Sequence, residues 1–227
     1  MPVEIVEIPV SPNRTIRQAH VCAIVRHLLQ RRFAVLPTDT GPMLACNALD
    51  PEAIEALFRL KGRRDGNPIH VAVPDMASAE KLVFMNGAAR RVMESLLPGP
   101  LTVICPKRET VPDLLVAGTG NLGIRIPDSP AVLQICAAAG VPLTATSLNI
   151  SGQSPRATIA ETLADLHWGA CDLVYNVVDP GQAVLRAPST VVRILGESGA
   201  EILRPGPVEQ ERILAAIGTG PVSDRSD

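Results

Sequence analysis

Short apolar runs of strand length alternate with amphipathic segments along most of this chain, and that alternation is what most limits its fold. Residues 4–10 and 33–36 read as strands on either side of a helix over about 15–30. Asp50-Pro51 reads as a helix start, the carboxylate capping free amides and the proline suiting the first turn. Ile54, Leu57 and Phe58 then share one face at helical spacing. Residues 69–73 form the next strand, followed by helical stretches at 77–82 and 88–97. Strands at 101–105 and 122–126, a helix over 128–139 and a strand at 141–146 continue the pattern. Thr158-x-x-Glu161 has the form of a capping box ahead of a helix. Short strands at 173–175, 190–194 and 201–203 and a helix over 208–217 complete the chain. No linker divides it and no repeat is visible. The expectation is mixed α/β in a single domain over 1–217, with 218–227 a disordered tail.

A chain of 227 residues can bury about 70% of the surface it exposes when unfolded, so it needs no disulfide or metal staple. Hydrophobic residues make up 46% but aromatics only 2%, so the core must be built from Ala, Val, Leu and Ile. A formal net charge of −2 excludes a strongly basic body that binds nucleic acid by bulk electrostatics. The five cysteines, Cys22, Cys46, Cys105, Cys136 and Cys171, include no C-x-x-C pair, and buried reduced thiols are expected. The N-terminus lacks the basic and apolar regions of a signal peptide, and no apolar run reaches spanning length. A soluble, cytoplasmic protein without membrane or DNA partners is expected.

Three groups of polar and cationic residues sit at element ends. Thr38, Asp39 and Thr40 follow the strand that Pro37 is expected to stop, where α/β sheets bind ligands. Lys61, Arg63 and Arg64 follow the helix begun at Asp50, and Arg grips phosphate with a planar fork where Lys supplies a point charge. Lys61 is expected at the surface, so that Lys61→Ala should leave folding nearly intact. Ser147 and Asn149 lie two apart and face one side of an extended segment, with Ser151-Gly152 beyond. Arg125 interrupts an apolar strand and needs a partner, either a ligand carboxylate or an internal Asp or Glu. Ser189-Thr190 and Arg204-Pro205-Gly206 are weaker signals. There is no G-x-x-x-x-G-K-[ST] loop, no G-x-G-x-x-G fingerprint and no G-x-S-x-G elbow. The histidines show no ligand spacing, and no metal site is expected.

Taken in order, these segments resemble the YrdC-like threonylcarbamoyl-AMP synthase family. The matching pieces are Pro37-Thr-Asp-Thr40, Lys61-Gly-Arg63, Asn67-Pro68, Pro98-Gly-Pro-Leu-Thr102, Gly123-Ile-Arg-Ile-Pro127, Ser147-x-Asn149-x-Ser-Gly152, Pro188-Ser-Thr190 and Leu203-Arg-Pro-Gly206. The resemblance implies a twisted mixed β-sheet flanked by helices, with a concave, positively lined cavity. It implies an enzyme that combines L-threonine, bicarbonate and ATP into threonylcarbamoyl-AMP and pyrophosphate, with Mg²⁺ accompanying the triphosphate, for modification of a tRNA adenosine. Proteins of that tRNA modification are the implied partners. By motif, Lys61, Arg63, Ser147, Asn149 and Arg204 would hold ATP, with Lys61 and Arg63 also serving the leaving phosphates. Thr38, Arg125 and Ser189 would hold the amino acid, with Arg125 meeting its carboxylate.

Some residues depart from the family pattern. Gly41-Pro42-Met43-Leu44 replaces the usual Val-Tyr-Gly-Leu, in what reads as a loop beside the amino-acid pocket. A histidine common in the strand after Lys-Gly-Arg is replaced by Ala72, with His70 two residues earlier on the same strand face. Two readings stand for His70: a substitute substrate contact, or a core residue. Two other readings follow from these changes: a paralogous ATP-dependent enzyme forming an acyl or carbamoyl adenylate on another amine, and a non-catalytic RNA-binding module.

Overall fold

The computed structural model describes residues 3–62, 67–154, 156–168, 172–181 and 187–218. Arg63, Arg64, Cys171 and the terminal segment 219–227 lie outside the described residues. The first elements are β1 (Glu4–Pro9), α1 (Gln18–Leu29), β2 (Ala34–Thr38), β3 (Gly41–Ala45), α2 (Pro51–Leu60) and β4 (His70–Ala72). The middle of the chain forms α3 (Met76–Glu80), α4 (Gly87–Leu96), β5 (Leu101–Pro106), β6 (Asn121–Arg125), α5 (Pro130–Ala139) and β7 (Leu143–Ser147). It closes with α6 (Ile159–Asp165), β8 (Leu173–Val178), β9 (Thr190–Leu195), β10 (Gly199–Arg204) and α7 (Gln210–Gly218).

All the strands join one mixed sheet in the order β1-β8-β2-β3-β7-β4-β6-β5-β9-β10. Successive residues of the central strands point to opposite faces, as strand geometry requires. Val35, Leu44 and Val71 enter one apolar cluster, while Leu36, Met43 and Ala72 enter another. Helices α2, α4 and α7 bury Leu57, Met93 and Ile213 in the first cluster; α1 and α5 bury Ile24 and Ile135 in the second. Aliphatic side chains thus build both layers, as the scarcity of aromatics demands. No helix among the described residues is long and apolar enough to cross a membrane.

Local signals placed several elements closely. Asp50 accepts the Glu52 amide at 3.0 Å at the start of α2. In the capping box, Thr158 Oγ1 accepts the Glu161 amide at 3.2 Å and a Glu161 oxygen accepts the Thr158 amide at 3.1 Å. Thr158→Ala is expected to cost about 1 kcal/mol, read as a lower urea midpoint at unchanged slope. An unmoved midpoint would mean that α6 is held by packing alone.

Two expectations fail here. Pro37 does not stop β2, and 41–45 is no loop: β3 pairs antiparallel with β2 through a two-residue turn, placing Pro37 opposite Pro42. A rung with proline on both sides has no amide to exchange, so it falls where an antiparallel ladder makes no hydrogen bond, and neither ring interrupts it. Among the described cysteines, Cys46, Cys105 and Cys136 are buried but Cys22 is exposed on α1. Burial pushes each of the three buried thiols up to about 12, which keeps them inert at neutral pH.

Candidate active site

A cavity of about 280 Å³ opens at the middle of the sheet. Thr38, His70, Arg125, Ser147, Ser189 and Arg204 all line it, although they come from six separate places in the chain. Among the described residues its lining includes two arginines and a histidine and no carboxylate.

Arg125 ends β6 and is almost wholly buried. Its internal partner is present: Asp39, at the β2–β3 turn, accepts a short hydrogen bond from Nη2. The same nitrogen reaches Thr38 Oγ1 at 3.3 Å, and the buried Nε has no partner among the described residues. Burial draws the guanidinium's pKa below its usual value, against the pull of the Asp39 charge.

Arg204 ends β10 and donates from Nε to the Ser189 carbonyl at 3.0 Å and from Nη2 to Ser189 Oγ at 2.9 Å. Ser189 Oγ also pairs with Thr102 Oγ1 at 2.9 Å. Burial first, and then the charge of Arg125, lower the Arg204 pKa. Two guanidiniums that repel one another across a small cavity favour an anion between them.

His70 lies across Gly123, where an added Cβ would stand 2.1 Å from Nδ1. Glycine at 123 is therefore what lets the imidazole reach the cavity.

Lys61 follows α2 and is 1% exposed, so the expected surface position is wrong. Its backbone carbonyl accepts the Ser151 amide at 2.9 Å. Its Nζ donates to the Ser147 carbonyl and to Asn149 Oδ1, the latter at 3.2 Å. Ser147 Oγ donates to the same Asn149 oxygen; β7 ends at Ser147 and the chain bends over 148–150, so the two are brought together by a bend rather than by the expected extended segment. Lys61 thus ties the turn after β7 to the end of α2 rather than standing in solvent. Arg59, two residues earlier on α2, is exposed and pairs with Glu55 at 3.8 Å.

In the sequence Asp39 stands with Thr38 and Thr40 at a strand end but is not named as the partner of Arg125, although a buried arginine calls for a carboxylate; Thr102 is given no role of its own. Thr102 carried only a hydroxyl at a strand start.

A family model named Sua5/YciO/YrdC and described as "Telomere recombination" matches residues 27–206. The chain belongs to this family. A Methanocaldococcus jannaschii relative named putative threonylcarbamoyl-AMP synthase is 32% identical over 169 residues, covering 74% of this chain and 77% of the relative. The Bacillus subtilis threonylcarbamoyl-AMP synthase is 32% identical over 202 residues, covering 88% of this chain but 56% of its own length. The crystal structure of Pyrococcus abyssi Sua5 complexed with L-threonine superposes with a TM-score of 0.81 at 28% identity, covering 94% of this chain and 61% of that one. The family match takes in about four fifths of this chain, and the chain spans 56% of the length of the Bacillus relative and 61% of the Pyrococcus structure.

Proposed function

We propose that this Sua5/YciO/YrdC chain is an L-threonylcarbamoyl-AMP synthase that supplies tRNA threonylcarbamoyladenosine modification. The observation that carries the reading is the convergence of Arg125, Arg204, Thr38 and Ser189 on one cavity, without a carboxylate among its described lining residues, beside Lys61 and Asn149. Threonine's amine takes up bicarbonate with loss of water to give a carbamate. A carbamate oxygen then attacks the α-phosphorus of ATP, the bond to the β-phosphate breaks, and pyrophosphate leaves. No protein nucleophile is needed, so the residues act by holding the reactants together and by stabilising charge. Thr38, Arg125 and Ser189 would receive the amino acid, with His70 on the same wall. Lys61, Ser147, Asn149 and Arg204, with Arg63, would face the nucleotide.

No group of three His, Cys, Asp or Glu able to hold a metal occurs among the described residues. The carboxylate of Asp39, beside the cavity-lining Thr38 and Thr40, is engaged by Arg125. A Mg²⁺ ion would therefore come bound to the triphosphate, where it offsets phosphate charge.

Pyrophosphate release from ATP and Mg²⁺ tests the reading, with and without bicarbonate and across the common amino acids. Release that requires both bicarbonate and L-threonine is expected. Gly41, Pro42 and Met43 line the cavity wall, so release with a different amine would favour the paralogous enzyme and place its selectivity there. ATP binding without release under any combination would overturn both enzymatic readings.

A further inference from the structure

We infer that Asp39 is a positioning residue for the amino-acid substrate, orienting the Arg125 guanidinium that receives the substrate carboxylate. The inference rests on the synthase reading and adds a residue to that site.

Asp39 occupies a hairpin turn, a place where side chains are ordinarily solvated. Here the side chain folds inward and is 11% exposed, against 8% for Arg125. Two groups of the hairpin converge on one nitrogen: Asp39 Oδ1 and Thr38 Oγ1 both accept from Arg125 Nη2. Thr38 Oγ1 in turn donates to the Gly41 carbonyl at 2.6 Å, which ties the acceptor to the other strand of the hairpin. A guanidinium is planar, so holding one nitrogen from a paired β-turn fixes the directions of its other donors. Nε is buried and has no hydrogen-bond partner among the described residues, while Arg125 itself lines the cavity.

Asp39 does not line the cavity that holds Thr38 and Arg125. It lines a separate cavity of about 520 Å³ together with Arg14, Asp128 and Asp179. Any effect of Asp39 on the substrate must therefore pass through Arg125. Its charge also offsets the repulsion between Arg125 and Arg204, which both line a cavity with no carboxylate among its described lining residues.

The test compares wild type, Asp39→Ala and Asp39→Asn by steady-state pyrophosphate release. D39A is expected to raise KM for L-threonine by about tenfold or more, with kcat within about threefold and KM for ATP unmoved. D39N should recover part of the loss, because its amide oxygen still accepts from Nη2. An unchanged threonine KM, with activity lost only in proportion to unfolded protein, would make Asp39 a structural residue and overturn the inference. A lower threonine KM would overturn it too, by showing that Asp39 competes with substrate for Arg125. If D39A fails to fold, the same split is read from D39N.

Wild-type activity is measured first, and a wild type inert to threonine would sink the synthase reading separately. The ¹⁵Nε–H signal of Arg125 then decides the inference without turnover. A sharp, shifted signal that is lost in D39A supports it, and a signal unchanged in D39A overturns it.

Discussion

Lys61→Ala is expected to destabilise the fold by about 2–4 kcal/mol and to lower turnover by about 10² or more, whereas Lys61→Met should regain most of the stability and none of the turnover. The side chain is 1% exposed, so alanine leaves a cavity where the four methylenes packed. It also removes the donor to the Ser147 carbonyl and Asn149 Oδ1, leaving the Ser151 amide on the backbone carbonyl of residue 61 to hold the turn after β7 to the end of α2. Methionine refills the space at nearly equal volume and sheds a costly buried charge, but offers no positive charge to departing pyrophosphate. Urea denaturation and single-turnover pyrophosphate release, run on both variants, separate packing from chemistry. A methionine variant with wild-type turnover would remove the Lys61 ammonium from the reaction. An alanine variant as stable as wild type would contradict its burial.

Gly206→Ala is expected to cost about 3 kcal/mol and to abolish most activity. An added Cβ would lie 2.4 Å from the Thr190 amide nitrogen, 2.5 Å from the Pro188 carbonyl oxygen and 2.7 Å from the Ser189 carbonyl carbon. All three are backbone atoms at the start of β9, so no rotamer change relieves the clash. The segment that must move carries Ser189, and the segment that pushes it carries Arg204, so the two hydrogen bonds joining them are strained together. Gly140→Ala is the control. That residue ends α5 with φ +66°, and its Cβ would meet nothing within 4 Å, so only the conformational cost of about 1 kcal/mol remains. Thermal denaturation of the pair, with KM for threonine and ATP, checks the prediction. Equal losses in the two variants would mean that conformation, rather than contact with β9, governs Gly206.

Much of the fold was legible from local chemistry. The Asp50 cap, the Thr158 capping box and the helical spacing of Ile54, Leu57 and Phe58 act within one or two turns of chain. They were therefore readable in order, and the structure places α2 and α6 accordingly. The strand β3 was not legible, because a Gly-Pro start is a turn signal wherever the partner strand is unknown. Its opposite number turned out to be another proline, at the one kind of rung that needs no amide. Lys61 shows the same limit. A lysine at a helix end is ordinarily solvated, and its burial depends on the turn after β7 folding back over it.

By itself the sequence determined which residue types stand at the element ends, because caps, breakers and periodicity are set by near neighbours. It also determined the order of motifs that marks the family, and hence the mixed sheet. Only the tertiary structure decided who meets whom. Asp39 and Arg125 lie 86 residues apart in the chain and Lys61 and Asn149 lie 88. The resemblance named Arg125, Arg204 and Lys61, yet which carboxylate stands behind Arg125, and what Lys61 holds, followed from the sheet. Pairing β3 with β7 and β6 with β4 brings those residues to one place, and a charge's environment is set by what surrounds it in space.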